Sequence, residues 1–286
     1  MNRAQLSRTA VLLAVFVAAP AARGAPVVPD FSPDDFTPGA AIDNPYHPLV
    51  PGTERRYEAD VTDPDNGEVT REVNRVTVTG QTRQIAGVTA RVVRDRAFED
   101  GELAEDTFDY FAQDRQGNVW YLGEDTTSFE RDDEGNVIGT STRGSWHAGV
   151  NGARPGFIMP AAANRTVGFS YFQEFAQQDE ALDQAEIVAL DETVTVPAGT
   201  FTSVLKTRET SEVEPGVVEN KFYAPGVGEI LVWEDLDEAG VPLNRIPLVS
   251  VTTASAIPLP PAAWSALFAA GLGAAFKVGA RRRARA

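Results

Sequence analysis

The sequence predicts an all-β protein: a mostly antiparallel meander forming one large curved sheet or an open barrel, with a two-sheet β-sandwich as second choice. Three observations carry that prediction. Val, Thr and aromatic residues recur with period-two alternation, the pattern of strands buried on one side. Clusters of Gly, Asn and Asp separate these runs at hairpin spacing. Only residues 179–187 have a helical composition, and that segment reads equally as loop.

Taken in order, residues 1–24 read as a signal peptide. Arg3 and Arg8 form a positive start, residues 10–19 an apolar stretch, and Ala22-Arg23-Gly24 a small-x-small site that places the cut between Gly24 and Ala25. The stretch is too short to span a bilayer. Residues 25–51, rich in Pro and Asp, are expected to form an extended arm. The β-rich body covers residues 52–253. In it Tyr57, Ala59 and Val61 alternate with Glu58 and Asp60, and Val76 and Val78 with Thr77 and Thr79; Val88, Ala90 and Val92 follow. Phe108, Tyr110 and Ala112 share one face, with Asp109 and Gln113 expected on the other. Later runs are 119–122, 169–175, 194–196, 201–207, 217–223, 228–233 and 248–253. Short connections such as Asp65-Asn66-Gly67 and Glu214-Pro215-Gly216 make neighbouring strands antiparallel. Residues 144–168 break the rhythm with Gly and Pro around Trp146, Phe157 and Met159, as expected of a loop that packs over a core or closes a barrel mouth.

The chain closes with a linker and motif at 254–261, an apolar span at 262–280 and a basic end at 281–286. At 1.5 Å per residue the span covers about 28 Å, close to the roughly 30 Å of a bilayer core. Lys277 can snorkel, while Arg281, Arg282, Arg283 and Arg285 resist translocation and hold that end in the cytoplasm. Ile257-Pro258-Leu259-Pro260-Pro261, followed by span and basic cluster, resembles the PEP-CTERM family of bacterial sorting signals in its Val-Pro-Leu-Pro-Ala variant. The first and last motif positions depart from that variant. The resemblance implies recognition by an exosortase, a membrane-embedded cysteine transpeptidase, with cleavage near the motif and transfer to the cell surface. The plain alternative is a C-terminal anchor that is never cut.

Charge narrows the function classes. Of 25 basic residues, three lie in the leader and five beyond Pro261, which leaves 17 against 41 acidic residues in between, a net of −24. Such a field repels nucleic acid and anionic membrane surfaces, so no nucleic-acid partner is expected. The absence of cysteine rules out disulfides, thiolate metal sites and a cysteine nucleophile.

Few residues suggest chemistry, and no cofactor or metal is expected. Asp63-Pro64-Asp65-Asn66-Gly67-Glu68 looks like part of a calcium loop, but the position needing a bidentate Glu is Asn74, so a hairpin turn is the expectation. The cluster from Asp132 to Asn136 reads the same way. The aromatic-rich stretch 110–125 is either core hairpin or a ligand face. Trp120, Tyr121, Glu124, Trp146 and His147 are the candidates for that face. His47, in Pro45-Tyr46-His47-Pro48, is expected to be structural. His147 has Ser145, Glu174 and Asp179 as conceivable partners, but no Gly-x-Ser-x-Gly elbow accompanies it.

The blocks 117–126, 144–146, 152–156, 171–175 and 223–228 resemble a group of secreted bacterial β-rich proteins of unassigned role. The run Val196-Pro197-Ala198-Gly199-Thr200-Phe201 is similar to one that joins strands in concave half-barrels akin to periplasmic lipoprotein carriers. The resemblance implies a fold and brings no catalytic residue. The expectation is an exported, non-enzymatic envelope protein, held at first by its C-terminal helix and destined for the cell surface or extracellular matrix. An exosortase-type enzyme would process it, exopolysaccharide is a conceivable partner, and a small apolar or glycan ligand could occupy the concave sheet. The rival is an envelope hydrolase using His147 with neighbouring carboxylates.

Overall fold

The computed structural model describes residues 25–132 and 135–253. The signal peptide, the sorting motif, the apolar span and the basic end all lie outside the described residues. Among the described residues no helix is long and apolar enough to cross a membrane.

Among the described residues fifteen strands follow one another: β1 (Thr53–Thr62), β2 (Val69–Ile85), β3 (Val88–Glu99), β4 (Glu102–Gln113), β5 (Val119–Arg131), β6 (Val137–Ser141), β7 (Trp146–His147), β8 (Arg154–Met159), β9 (Ser170–Phe172), β10 (Glu174–Phe175), β11 (Asp183–Val196), β12 (Gly199–Ser211), β13 (Val218–Ala224), β14 (Gly228–Leu236) and β15 (Pro242–Thr253). Thirteen of them form one path, β10-β8-β5-β4-β3-β2-β1-β15-β14-β13-β12-β11-β9, with β6 and β7 also paired to β5. Each of these strand pairs is antiparallel, as the short turns require.

The two ends of the path are consecutive in sequence. Tyr171 and Phe172 of β9 pair with Ala185 and Gln184 of β11, and two residues later Glu174 and Phe175 of β10 pair with Pro155 and Arg154 of β8. One short stretch, 170–175, thus joins both edges and makes the sheet a nearly closed barrel, which removes most exposed edge. Gly156 permits this contact, because a Cβ there would meet the Phe172 carbonyl oxygen at 2.1 Å.

The segment with helical composition is not a helix. Gln177–Asp179 form a single 3-10 turn, Glu180 takes a left-handed φ of 58°, and from Asp183 the chain is strand β11. Local propensity loses here because Ala185 and Ile187 sit at alternate positions and bury fully between β9 and β12.

Residues 25–51 lie along the barrel wall and across one of its ends. Phe31 and Phe36 pack on Trp120 at 5.5 and 6.0 Å between ring centres. Farther on, Gly226 N donates to Pro45 O, and Asn44 Nδ2 to Gly117 O. The main apolar cluster runs from the arm through β2–β5 to β8 and β11. A second one gathers Val194, Val196 and Val204 of the β11–β12 hairpin with Phe222, Ile246 and Leu248, where Ala198 N donates to Leu248 O at 3.1 Å.

Candidate functional site: an acidic cavity inside the barrel

Alternation in a closed sheet sends every second side chain inward. On β1 these are Arg55 and Tyr57, on β3 Val93 and Asp95, on β4 Asp109 and Phe111, and on β13 Lys221 and Tyr223. Together with Tyr121, Glu124, Glu174, Asp183 and Glu229 they line a cavity of about 320 Å³. His47 and Leu49 of the arm also line it, so the arm forms part of its wall. Arg55 ties that segment down by donating to Pro48 O at 2.6 Å and to Val227 O at 2.8 Å. A smaller hollow of about 80 Å³ shares Asp183 and Lys221 with the cavity and is walled by Glu209, Glu214 and Glu219.

Two bulges bring carboxylates to this wall. Between β4 and β5 the step from Asp109 to Phe111 faces the longer step from Glu124 to Tyr121, so the extra residue puts both Tyr121 and Glu124 inside. The extra residue requires Gly123, with φ 136° and the Trp146 carbonyl oxygen 2.3 Å from where a Cβ would stand. Between β13 and β14, Tyr223 faces Glu229 while Phe222 faces Leu231, which aims Glu229 inward in the same way.

The electrostatics follow from burial without counter-charge. Burial, then the neighbouring Asp109, pushes Asp95 up to about 7. Asp109 rises to about 7 through burial and Glu124, and Glu124 to about 7 mainly through burial. Glu229 likewise reaches about 7 through burial, although Lys221 pulls against it. Glu174, only 7% exposed, is driven well above the carboxylate range by burial and then by Asp183 and Glu124. Lys221 is the exception: burial would lower it, but Glu209 at 3.0 Å and Glu219 at 3.6 Å more than reverse this and keep it charged. His47 falls to about 3 through burial and Arg55, so it is neutral. Among the described residues no three His, Asp or Glu groups are arranged to hold a metal ion.

The sequence candidates divide between two sides of the sheet. Tyr121 and Glu124 line the cavity, and Trp146 packs edge-on against Tyr121 at 5.5 Å, with its indole N–H turned to Glu174 without closing a hydrogen bond. Trp120 faces away, buried beneath the arm, where its N–H donates to Asp114 Oδ2 at 2.8 Å. His147 does not line the cavity. It stands 3.0 Å from Asp125 Oδ1, out of line for a hydrogen bond, in a cluster where Tyr110 donates to Asp125 and Arg83 pairs with it. Glu174 faces the cavity instead, and Asp179 accepts from Asn151 at 3.0 Å. The Ser145 hydroxyl accepts from Thr126 N and donates to Thr126 O, so it is spent on the backbone. The Asp63 carboxylate accepts from Asp65 N, Asn66 N and Asn66 Nδ2, the bonds of a stitched hairpin turn.

Asp109 lies on the face opposite Tyr110 and Ala112, as the alternation predicts, but its role was not read from the sequence: that face is the barrel interior, where Asp109 lines the cavity with Phe111, while Tyr110 and Ala112 bury against the outside of the barrel. The arm covers that outer wall, so the apolar phase of β4 does not mark the interior. Asp95, Asp183, Lys221 and Glu229 were missed as well. Their one signal is a charged residue two positions from an apolar neighbour on the same face, as in Val93/Asp95 and Lys221/Tyr223.

No protein-family model matches the chain, and no curated protein does. Two solved structures are similar to it. One is a presumed exported protein with a YmcC-like fold from Bacteroides fragilis, at 12% identity and TM-score 0.39 over 73% of this chain and 99% of that one. The other is a presumed lipoprotein from Parabacteroides distasonis, at 12% identity and TM-score 0.36 over 72% and 98%. Likeness at that level transfers nothing to this chain, whose architecture rests on its own strand pairing.

Proposed function

We propose that the protein is an exported, non-enzymatic envelope protein, destined for the surface or matrix through its C-terminal tail, whose barrel holds a small polar ligand. The observation that carries the ligand reading is the cavity: room for a small molecule, lined by six carboxylates, Lys221, Arg55 and four aromatic rings. Of the two ligand classes expected from sequence, this lining favours a glycan over an apolar molecule, since an apolar guest would leave buried polar groups unpaired. The outward position of His147 and the engaged Ser145 hydroxyl support a binding role over hydrolysis through those residues. The leader and tail in the sequence support export.

Intact-mass measurement on protein from fractionated cells tests the export half. The expected species lacks residues 1–24, ends near Pro260 and sits in the envelope or medium. An untrimmed chain in the soluble cell interior refutes it.

A further inference from the structure

In a body with a large excess of acidic residues, one outer wall of the barrel carries a line of arginines. Alternation with the inward Tyr57, Val76 and Asp95 turns Arg56, Arg75 and Arg96 outward. Strand pairing sets them side by side, Arg56 of β1 opposite Arg75 of β2, and Arg75 opposite Arg96 of β3. Neighbouring strands lie about 4.8 Å apart, so the three charges form a straight row across the sheet. Like charges directly opposite one another destabilise a sheet.

The carboxylates on this wall are already engaged. Glu58 pairs with Arg56 and Arg71, and Asp60 with Arg71 at 3.0 Å. Asp106, opposite Arg96 on β4, is held instead by Arg94, which donates from Nε to Oδ1 at 2.7 Å and from Nη2 to Oδ2 at 2.6 Å. Among the described residues Arg75, which is exposed, and Arg96, which is half-buried, have no ion pair. What they share is Phe98, on the same face of β3, whose ring centre lies 5.4 Å from the Arg75 guanidinium carbon and 5.9 Å from that of Arg96. A guanidinium held against an aromatic ring has less freedom to lose on binding, and its planar fork matches an oxyanion. Arg94 and Asp106 show that fork closed on a carboxylate one step along the same wall. Two uncommitted guanidiniums on adjacent strands fit an extended chain with a carboxylate on successive units. Bases of a single-stranded nucleic acid would need aromatic faces to stack on, and the Phe98 ring already carries both guanidiniums. At physiological salt, charges more than about 8 Å away are largely screened, so the row rather than the net charge of the body sets the field here.

We infer that this wall binds a linear acidic glycan, a polyuronate, through carboxylates seated on Arg75 and Arg96. The site is separate from the cavity and goes beyond the ligand reading above; either can fail without the other.

The test is calorimetric titration of the purified full chain, at neutral pH with EDTA present, using an oligogalacturonate, a neutral maltodextrin of equal length and a single-stranded DNA of equal charge. The oligogalacturonate should bind at least tenfold more tightly than the other two, and the double variant Arg75→Gln, Arg96→Gln should lower its affinity at least tenfold. Arg143→Gln, which removes the same charge at an exposed position elsewhere, should change it less than twofold. Should the double variant fail to fold, Arg75→Gln alone serves in its place and should weaken binding at least threefold. DNA binding as tight as the oligogalacturonate makes the wall a general polyanion surface and overturns the inference. So does oligogalacturonate binding that survives the arginine variants, or its absence at millimolar concentration. Salt-sensitive dimers of the chain that vanish in the double variant would assign the wall to a second copy and overturn it too.

Discussion

Tyr121 has one hydroxyl proton and two carboxylates within reach of it, Asp109 Oδ1 at 2.7 Å and Glu124 Oε2 at 2.9 Å. It can donate to only one, so the other must itself carry a proton to make its bond. That geometry agrees with the elevation of both carboxyls by burial. It also gives the barrel an unusual response to pH. A carboxyl whose folded value lies near 7, against about 4 in the unfolded chain, binds more protons when folded. Its contribution is full below about pH 4 and is lost as pH rises through 7, on the order of 4 kcal/mol for one such group. Asp95, Asp109, Glu124 and Glu229 all act in this direction. The urea midpoint is therefore expected to fall from pH 5 to pH 8, with a shallower fall in Asp95→Asn. A midpoint that climbs over that range contradicts the buried-carboxyl account. Glu124 was singled out in the sequence beside Tyr121, but Asp95, Asp109 and Glu229 were not, because nothing in their spacing sets them apart from the rest of the 41 acidic residues. What distinguishes Asp95 is only its phase, shared with Val93, and phase has meaning once the inside of the barrel is known.

Hairpins were the most legible elements, because their turn chemistry is local. Asp63 and Asp132 both cap the turns that follow them, accepting from the backbone of Asn66 and Asn136. The closing strand was far less so. Residues 170–175 pair with two strands that lie on either side of them in sequence, and no local pattern encodes such a double commitment. The bulge at Gly123 was equally hidden, since its requirement comes from the Trp146 backbone arriving from another strand. Closure makes a sharp prediction for Gly156. In Gly156→Ala the new methyl would collide with the Phe172 carbonyl oxygen at 2.1 Å and the Gln173 carbonyl carbon at 2.7 Å, both backbone and unable to swing aside. A loss of about 3 kcal/mol or more is expected from such overpacking, read as a lower urea midpoint. Gly80→Ala, where nothing lies within 4 Å, is the matched control and should stay within about 0.5 kcal/mol. Similar midpoints for the two variants would mean that β8 does not close on the 170–175 stretch.

Antiparallel order sorts the connections into two sets. The turns 63–68, 100–101, 212–217 and 237–241 lie at one end of the barrel, together with the hollow walled by Glu209, Glu214 and Glu219. At the other end lie the turns 86–87, 114–118, 197–198 and 225–227, the docked arm, and the paired strand ends Thr53 and Thr253. The chain thus leaves the barrel toward its C-terminal tail from the arm-covered end. If that tail spans the membrane, as the sorting reading holds, the arm-covered end faces the bilayer and the acidic turns face away. The arrangement suits the net charge of the body, because the most acidic turns are then held farthest from anionic headgroups. The address reading of the two chain ends comes from sequence alone and lies outside the described residues; the polarity of the barrel between them depends on strand order. It can be measured because the chain has no cysteine. Asp65→Cys and Gln116→Cys each place one thiol on an exposed turn, at the acidic and the arm-covered end respectively. In spheroplast membranes that retain the tailed chain, a bulky membrane-impermeant maleimide should label Asp65→Cys several-fold faster than Gln116→Cys. In detergent the two rates should converge. Equal rates in the membrane would show that the barrel tumbles freely on its linker, and faster labelling at Gln116→Cys would invert the orientation.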